Sequence, residues 1–191
     1  MSPRTQEQFE EIRENKRQLI KNTALELFAN EGYFQTSISK IAKKAGISKG
    51  LMYNYFESKE DLIKEILHDG VDTIYKNFDP NSDGILTKDE FIFYIKETVK
   101  VLKEQIDFWK LFYAFTLQPG VMELLEKETH SISPKMMQTL VGYFQNKYGD
   151  KFEEEILVFL SLMKGASMTY VFAPEVFSID ILEKKIIEMY T

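Results

Sequence analysis

The chain has 191 residues, 44% of them hydrophobic and none of them cysteine, and carries a formal net charge of −6. That size and apolar content allow one large or two small packed domains, and the lack of cysteine excludes a disulfide framework and a thiolate metal site. The opening MSPRTQEQFEEIRENK is polar and does not read as a signal peptide, and no apolar run is read as a membrane span, so a cytoplasmic protein with no membrane partner is expected.

A first helix is expected from about Glu10 to Asn30, with Ile12, Leu19, Ile20, Thr23, Ala24, Leu27 and Phe28 on one stripe. Gly32 ends it. The segment before about Gln8, with Arg4, reads as a frayed arm. Residues 37 to 59 then read SISKIAKKAGISKGLMYNYFESK. Ser37 is placed to cap a short helix whose apolar face is Ile38, Ile41, Ala42 and Ala45. Gly46 supplies the left-handed residue that ends it. Ser48 caps a second helix, with Leu51, Met52 and Tyr55 as its buried side. Ala42 is small enough for two helices to cross there. The arrangement fits a helix-turn-helix, whose second helix enters the major groove of DNA.

From Arg17 to Leu62 the chain resembles the TetR family of transcriptional regulators. The resemblance rests on Ala24, Leu27, Phe28, Gly32, Tyr33, Thr36, Ile41, Ala42, Gly46, Lys49, Gly50, Tyr53, Tyr55, Phe56, Lys59 and Leu62. It implies a dimer that binds a palindromic double-stranded DNA operator, most often as a repressor released by a small molecule. Ser37, Lys49, Tyr53 and Lys59 are the candidates for phosphate contacts. Ser48 belongs to the same face. Lys49, Gly50, Leu51 and Asn54 are best placed near base edges, with Asn54 able to read adenine. The charge is distributed accordingly: Ile12 to Lys59 holds nine basic and four acidic side chains, a local +5 that leaves −11 on the rest.

Ser58 opens a fourth helix running to about Phe78, with Glu60 and Asp61 in its first turn. The resemblance implies that this helix links a DNA-binding domain, residues 1–57, to a ligand-binding and dimerisation domain, residues 58–191. Gly70 in its middle suggests a bend or a close helix contact. Residues 79 to 90, DPNSDGILTKDE, match the twelve-residue calcium loop of an EF-hand. Asp79, Asn81, Asp83, Ile85, Thr87 and Glu90 stand at its ligand positions, Ile85 through its carbonyl. No cofactor is required by the reading, and calcium is the candidate ion. The same residues also suit a polar turn with a capping box at Thr87 and Glu90.

Beyond Lys88 the chain reads as helical to the end, giving an all-α fold. One helix carries Phe91 to Leu102. A dense aromatic segment is closed by Pro119-Gly120. A short helix is expected from Val121 to Thr129, another from Pro134 to Gly149, and a long apolar one from Glu153 to Ala173. Ser178 is expected to cap the last. Trp109, Phe112, Tyr113, Phe115, Met137, Tyr143, Phe144 and Met163 are candidates to line a cavity for a hydrophobic or aromatic effector. Ser161, Gly165 and Thr169 recur every four residues and form a groove of small side chains. By the family resemblance that groove belongs to a homodimer interface. Enzyme readings lack support: there is no phosphate-binding glycine loop and no nucleophile elbow, His68 and Asp72 lie one turn apart as an ordinary helix pair, and His130 has no evident partner. The alternative to a DNA-binding regulator is a calcium-responsive helical protein that uses Asp79 to Glu90 and does not act through DNA.

Overall fold

The computed structural model describes residues 5–76, 78–121, 123 and 134–191, and all the regular structure among them is helical. The elements are α1 (Gln6–Glu31), α2 (Ile38–Lys44), α3 (Lys49–Met52), α4 (Lys59–Tyr75), α5 (Lys88–Glu104), α6 (Ile106–Thr116), α7 (Pro134–Tyr148), a 3-10 turn (Gly149–Lys151), α8 (Phe152–Phe172) and α9 (Ile179–Tyr190). Arg4, His130 and most of the helix expected from Val121 to Thr129 lie outside the described residues.

The chain divides into two compact units: Met1–Asp69 with Ala114–Leu125, and Gly70–Tyr113 with Glu126–Thr191. The N-terminal unit therefore differs from the 1–57 segment expected. Its extent has a physical cause in polar ties that reach well past Glu57. The Arg17 guanidinium grips both Glu65 oxygens, and the Lys21 ammonium pairs with Asp69 at 2.6 Å, so the first part of α4 is fixed to α1. The Gln118 amide donates to the Phe28 carbonyl at 2.7 Å and accepts from the Tyr33 N–H at 3.1 Å. Phe115 is fully buried against Phe28, ring centroids 5.6 Å apart.

α1 starts earlier than expected. Thr5 and Gln8 form a reciprocal capping box, so the segment before Gln8 is helical from Gln6. Ile20, Ala24, Leu27 and Phe28 are its buried stripe. Gly32 ends the helix at φ +92°, and Tyr33 then packs edge-on against Phe28 at 5.2 Å.

The C-terminal unit is built on aromatic side chains. Phe91, Phe144, Phe159 and Tyr190 are each at most 1% exposed and meet one another at ring separations of 5.2 to 6.5 Å. Tyr143 stacks on Phe91 at 4.7 Å and donates to the Tyr190 carbonyl at 2.7 Å, which ties down the last turn of α9. Ser178 occupies the N-cap position of α9, but its side chain makes no capping bond, contrary to expectation. One stretch, within residues 136–172, is long and apolar enough to cross a membrane by length and composition, which the sequence reading missed. Here the kink at Gly149, φ +57°, divides it, and Ile156, Phe159, Ala166 and Val171 turn inward on α8.

Candidate functional site

Local bonds shape the helix-turn-helix. The Ser37 hydroxyl accepts from the Lys40 N–H at 3.2 Å and the Ser48 hydroxyl from the Leu51 N–H at 3.1 Å. Each cap uses the oxygen as acceptor and leaves the hydroxyl proton for an outside group. After α2 the Ile47 N–H donates back to the Ala42 carbonyl at 3.0 Å, with Gly46 at φ +68°. This is the glycine-terminated turn that satisfies orphan helix carbonyls. No atom stands within 4 Å of where a Gly46 Cβ would be, so the dihedral angle alone requires glycine.

The regular part of α3 is only four residues. The chain continues as a turn, with the Asn54 N–H donating to Leu51 and the Phe56 N–H to Met52, both at 3.1 Å. Met52 and Phe56 are buried beneath it. Lys49, Gly50, Leu51, Tyr53 and Asn54 all face outward, on one exposed surface with Ser37 and Ser48. Asn54 thus lies on the turn past the helix. Gly50 has no internal cause: its φ is ordinary, and a Cβ there would meet nothing within 4 Å. A glycine inside a helix costs about 1 kcal/mol relative to alanine.

Lys59 departs from the other candidates. Its ammonium donates to the Tyr33 carbonyl at 3.0 Å and the Thr36 carbonyl at 3.1 Å, and lies 4.2 Å from the Tyr33 ring centre. Two of its three donors thus lock the approach to α2. Burial, then the nearby Glu60 charge, pushes the Tyr33 hydroxyl up to about 12. Arg17 does work that sequence reasoning assigned only to bulk charge: besides Glu65, it donates to the Tyr55 carbonyl at 3.0 Å and stacks on Phe56 at 4.6 Å. Lys40 pairs with Glu31 and Lys44 with Glu26. The +5 of this segment is therefore partly neutralised within the unit. Arg13, Lys43 and Lys49 are exposed and have no ion-pair partner among the described residues.

Residues 20–66 match the model of bacterial regulatory proteins of the tetR family. The chain belongs to the TetR family. An uncharacterised helix-turn-helix regulator of Bacillus subtilis, YuxN, is 34% identical over 161 residues, which are 81% of this chain and 53% of that protein. The matched stretch thus spans about half of that relative's length. The fatty acid metabolism regulator protein of the same organism is 48% identical over 44 residues, 23% of each chain. Among solved structures, the transcriptional regulator FadR from Bacillus subtilis in complex with stearoyl-CoA aligns with a TM-score of 0.69 over 91% of this chain and 96% of that one, at 18% identity. NalD, the secondary repressor of a multidrug efflux pump in Pseudomonas aeruginosa, aligns at 0.63 over 93% and 94%, at 19% identity. These last two likenesses are of fold.

In this TetR-family chain the C-terminal unit holds a cavity of about 290 Å³. Trp109, Phe112, Tyr113 and Met163, four of the eight expected residues, line it. The other four do not. Phe115 is core of the N-terminal unit, and Phe144, with Met137 and Tyr143 against it, belongs to the aromatic cluster around Phe91. Helical spacing marks a residue as inward-facing, but a filled core and a cavity wall share that spacing. Gly70, Tyr94, Thr98, Phe159, Leu160, Lys164 and Ser167 complete the wall. Gly70 serves close approach and not a bend, since a Cβ there would come within 2.5 Å of the Phe112 ring.

Ser161, Gly165 and Thr169 are all exposed on α8, with open space above Gly165. Leu157, Val158 and Phe172 are exposed on the same helix, at 68%, 46% and 50%, and Ile181 and Met189 on α9, at 68% and 52%.

The 79–90 loop uses its acids on itself. Asp79 accepts from the Gly84 N–H at 3.0 Å, Asn81 from Asp83 at 3.0 Å and Asp83 from Ile85 at 2.7 Å. One Glu90 oxygen takes both the Thr87 N–H at 2.9 Å and the Thr87 hydroxyl at 2.7 Å, completing the capping box of α5. Among the described residues no group of three or more Asp, Glu or His side chains gathers to hold a metal. A bidentate Glu90 contact would require that cap to open.

Proposed function

We propose that this chain is a cytoplasmic transcriptional regulator, a repressor that binds a palindromic DNA operator as a homodimer and is released by a small hydrophobic or aromatic effector. It is not an enzyme in this reading. The observation that carries it is Gly50. The fold tolerates a side chain there and gains from one, yet the position holds glycine between Lys49 and Leu51 on the exposed face of α3. A surface that must approach very closely, such as a DNA backbone or base edge, explains a glycine that the protein itself does not need. Lys49 and Lys43 supply unpaired charge beside it, and the Ser37 and Ser48 hydroxyls supply donors. The exposed small-residue groove of α8, with Leu157 and Phe172 exposed on the same helix and Ile181 and Met189 on α9, supports two-fold pairing of subunits, which a palindromic site demands.

The test separates fold from binding. Gly50→Ala is expected to raise the melting temperature while weakening binding to duplex DNA at least tenfold. Lys49→Ala is expected to reduce the dependence of log affinity on log salt by about one phosphate. Unchanged DNA binding in Gly50→Ala would overturn the assignment. Sedimentation showing a monomer at micromolar concentration would remove the dimer. The alternative, a calcium-responsive protein acting without DNA, finds no support in the relatives. Calcium at Asp79 to Glu90 is a separate proposal resting on the loop sequence. It predicts a calcium-dependent rise in melting temperature that Glu90→Gln abolishes.

A further inference from the structure

The cavity of the C-terminal unit is apolar over most of its wall, with Trp109, Phe112, Tyr113, Phe159 and Met163 around it. Two of its lining residues carry a defect. Trp109 Nε1–H and Thr98 Oγ1 are buried and have no hydrogen-bond partner among the described residues. An indole N–H can only donate, so what it lacks is an acceptor. A third lining residue, Ser167, already donates to the Met163 carbonyl at 2.7 Å. Lys164 is the one charged side chain among the described residues of the wall. Lys164 and Leu160 are solvent-exposed, so the mouth runs along α8.

Size limits the occupant. An apolar cavity of about 150 Å³ accepts one benzene, so 290 Å³ holds about a dozen non-hydrogen atoms. Long acyl chains exceed that. A wholly apolar molecule would leave the Trp109 and Thr98 groups unpaired, and a cation would meet Lys164 with the same sign.

We propose that the cavity takes a compact aromatic monoanion with a neutral acceptor oxygen at the end opposite its charge. The ring lies among Trp109, Phe112 and Phe159. The neutral oxygen accepts from Trp109 Nε1–H and the Thr98 hydroxyl, and the carboxylate sits at the mouth beside Lys164. The inference deepens the effector part of the regulator reading and rests on it for its biological role only.

The chain's single tryptophan is Trp109, so its fluorescence reports the cavity directly. The probe is para-acetylbenzoate, compared with para-isopropylbenzoate, which lacks the inner acceptor, para-acetylbenzamide, which lacks the charge, and stearate. Titration of the full chain should show para-acetylbenzoate quenching Trp109 and binding about tenfold more tightly than either close analogue. Thr98→Val should weaken para-acetylbenzoate several-fold and leave para-isopropylbenzoate unchanged. Lys164→Gln should weaken both acids and leave the amide unchanged. Calorimetry on Trp109→Phe, which keeps the ring and removes the donor, should repeat the Thr98→Val pattern. Equal affinity for the acetyl and isopropyl acids, or binding of stearate alone, overturns the proposal. DNA release is measured separately: ligand binding without release keeps this ligand class and removes the effector role, whereas DNA binding by a protein that binds none of the probes removes this ligand class and keeps the regulator reading.

Discussion

In the N-terminal unit Arg17, Lys21 and Lys59 each reach across the chain to a named acceptor, on Glu65 and Tyr55, on Asp69, and on Tyr33 and Thr36. In the C-terminal unit Trp109, Thr98 and Tyr190 bury polar atoms that have no hydrogen-bond partner among the described residues. The first unit is directional: charge-assisted bonds set the angle between short helices that could not hold their places alone. The second is built from ring contacts, which are strong in sum and tolerant in detail, and it keeps hydrogen-bonding capacity unused around a cavity. In the proposed regulator the former suits a surface matched to a rigid duplex, and the latter suits a wall that adapts to a ligand.

The largest effect on this contrast is expected from Phe91→Ala. Phe91 is fully buried at the centre of the aromatic cluster, and its loss should destabilise the protein by about 4 kcal/mol. Chemical denaturation checks the size. If the ring contacts are the basis of the C-terminal unit, near-ultraviolet circular dichroism should weaken while duplex binding survives below the transition. Arg17→Ala comes next. The Arg17 and Glu65 side chains are 26% and 29% exposed, so the pair is only partly desolvated, and about 2 kcal/mol is expected. Here DNA affinity should fall together with stability, because the Tyr55 carbonyl at the end of the recognition turn loses its anchor. An Arg17→Ala protein with full DNA affinity would contradict the idea that these ties set the reading angle.

The difference between the units also governs what was legible in the amino-acid sequence. The helix-turn-helix was legible because its determinants are local: Ser37, Gly46 and Ser48 each act within five residues of themselves. Arg17–Glu65, Lys21–Asp69 and the two bonds of Gln118 join residues 48 to 90 apart, and nothing in spacing or composition announces them. A lysine at a helix start suits a phosphate contact and an internal brace equally well, and spacing does not announce the two carbonyls that Lys59 reaches. The cavity was half legible. Trp109, Phe112, Tyr113 and Met163 line it, but Phe115, Met137, Tyr143 and Phe144 have the same chemistry and periodicity and fill core. Thr98, Lys164 and Ser167 were passed over because a polar residue on a helix ordinarily signals solvent.

A smaller effect, about 1 kcal/mol, is expected for Thr87→Ala, which opens the capping box at the start of α5. Thermal melting measures it, and the loss should be smaller in Glu90→Gln, whose amide oxygen can still accept the Thr87 N–H. The last prediction is silent at neutral pH. Burial raises both the Tyr33 and the Tyr143 hydroxyl from 10.0 to about 12, one in each unit. Below pH 10 both states keep these protons, and stability is unaffected. Between pH 10 and about 12 the unfolded chain ionises first, so stability falls as pH rises. Tyr33→Phe and Tyr143→Phe should each flatten part of that fall in an alkaline denaturation series.

The Gln118 bridge has a consequence for synthesis. Ribosomes deliver the chain from its N-terminus, so the helix-turn-helix emerges long before the 114–125 stretch that completes its unit. At about 5 to 20 residues per second, the interval between Asp69 and Leu125 lasts roughly three to eleven seconds. Through that interval Phe28 lacks Phe115, and the Phe28 carbonyl and Tyr33 N–H lack the Gln118 amide. The nascent helix-turn-helix unit is thus kept incomplete until residues 114–125 have been translated.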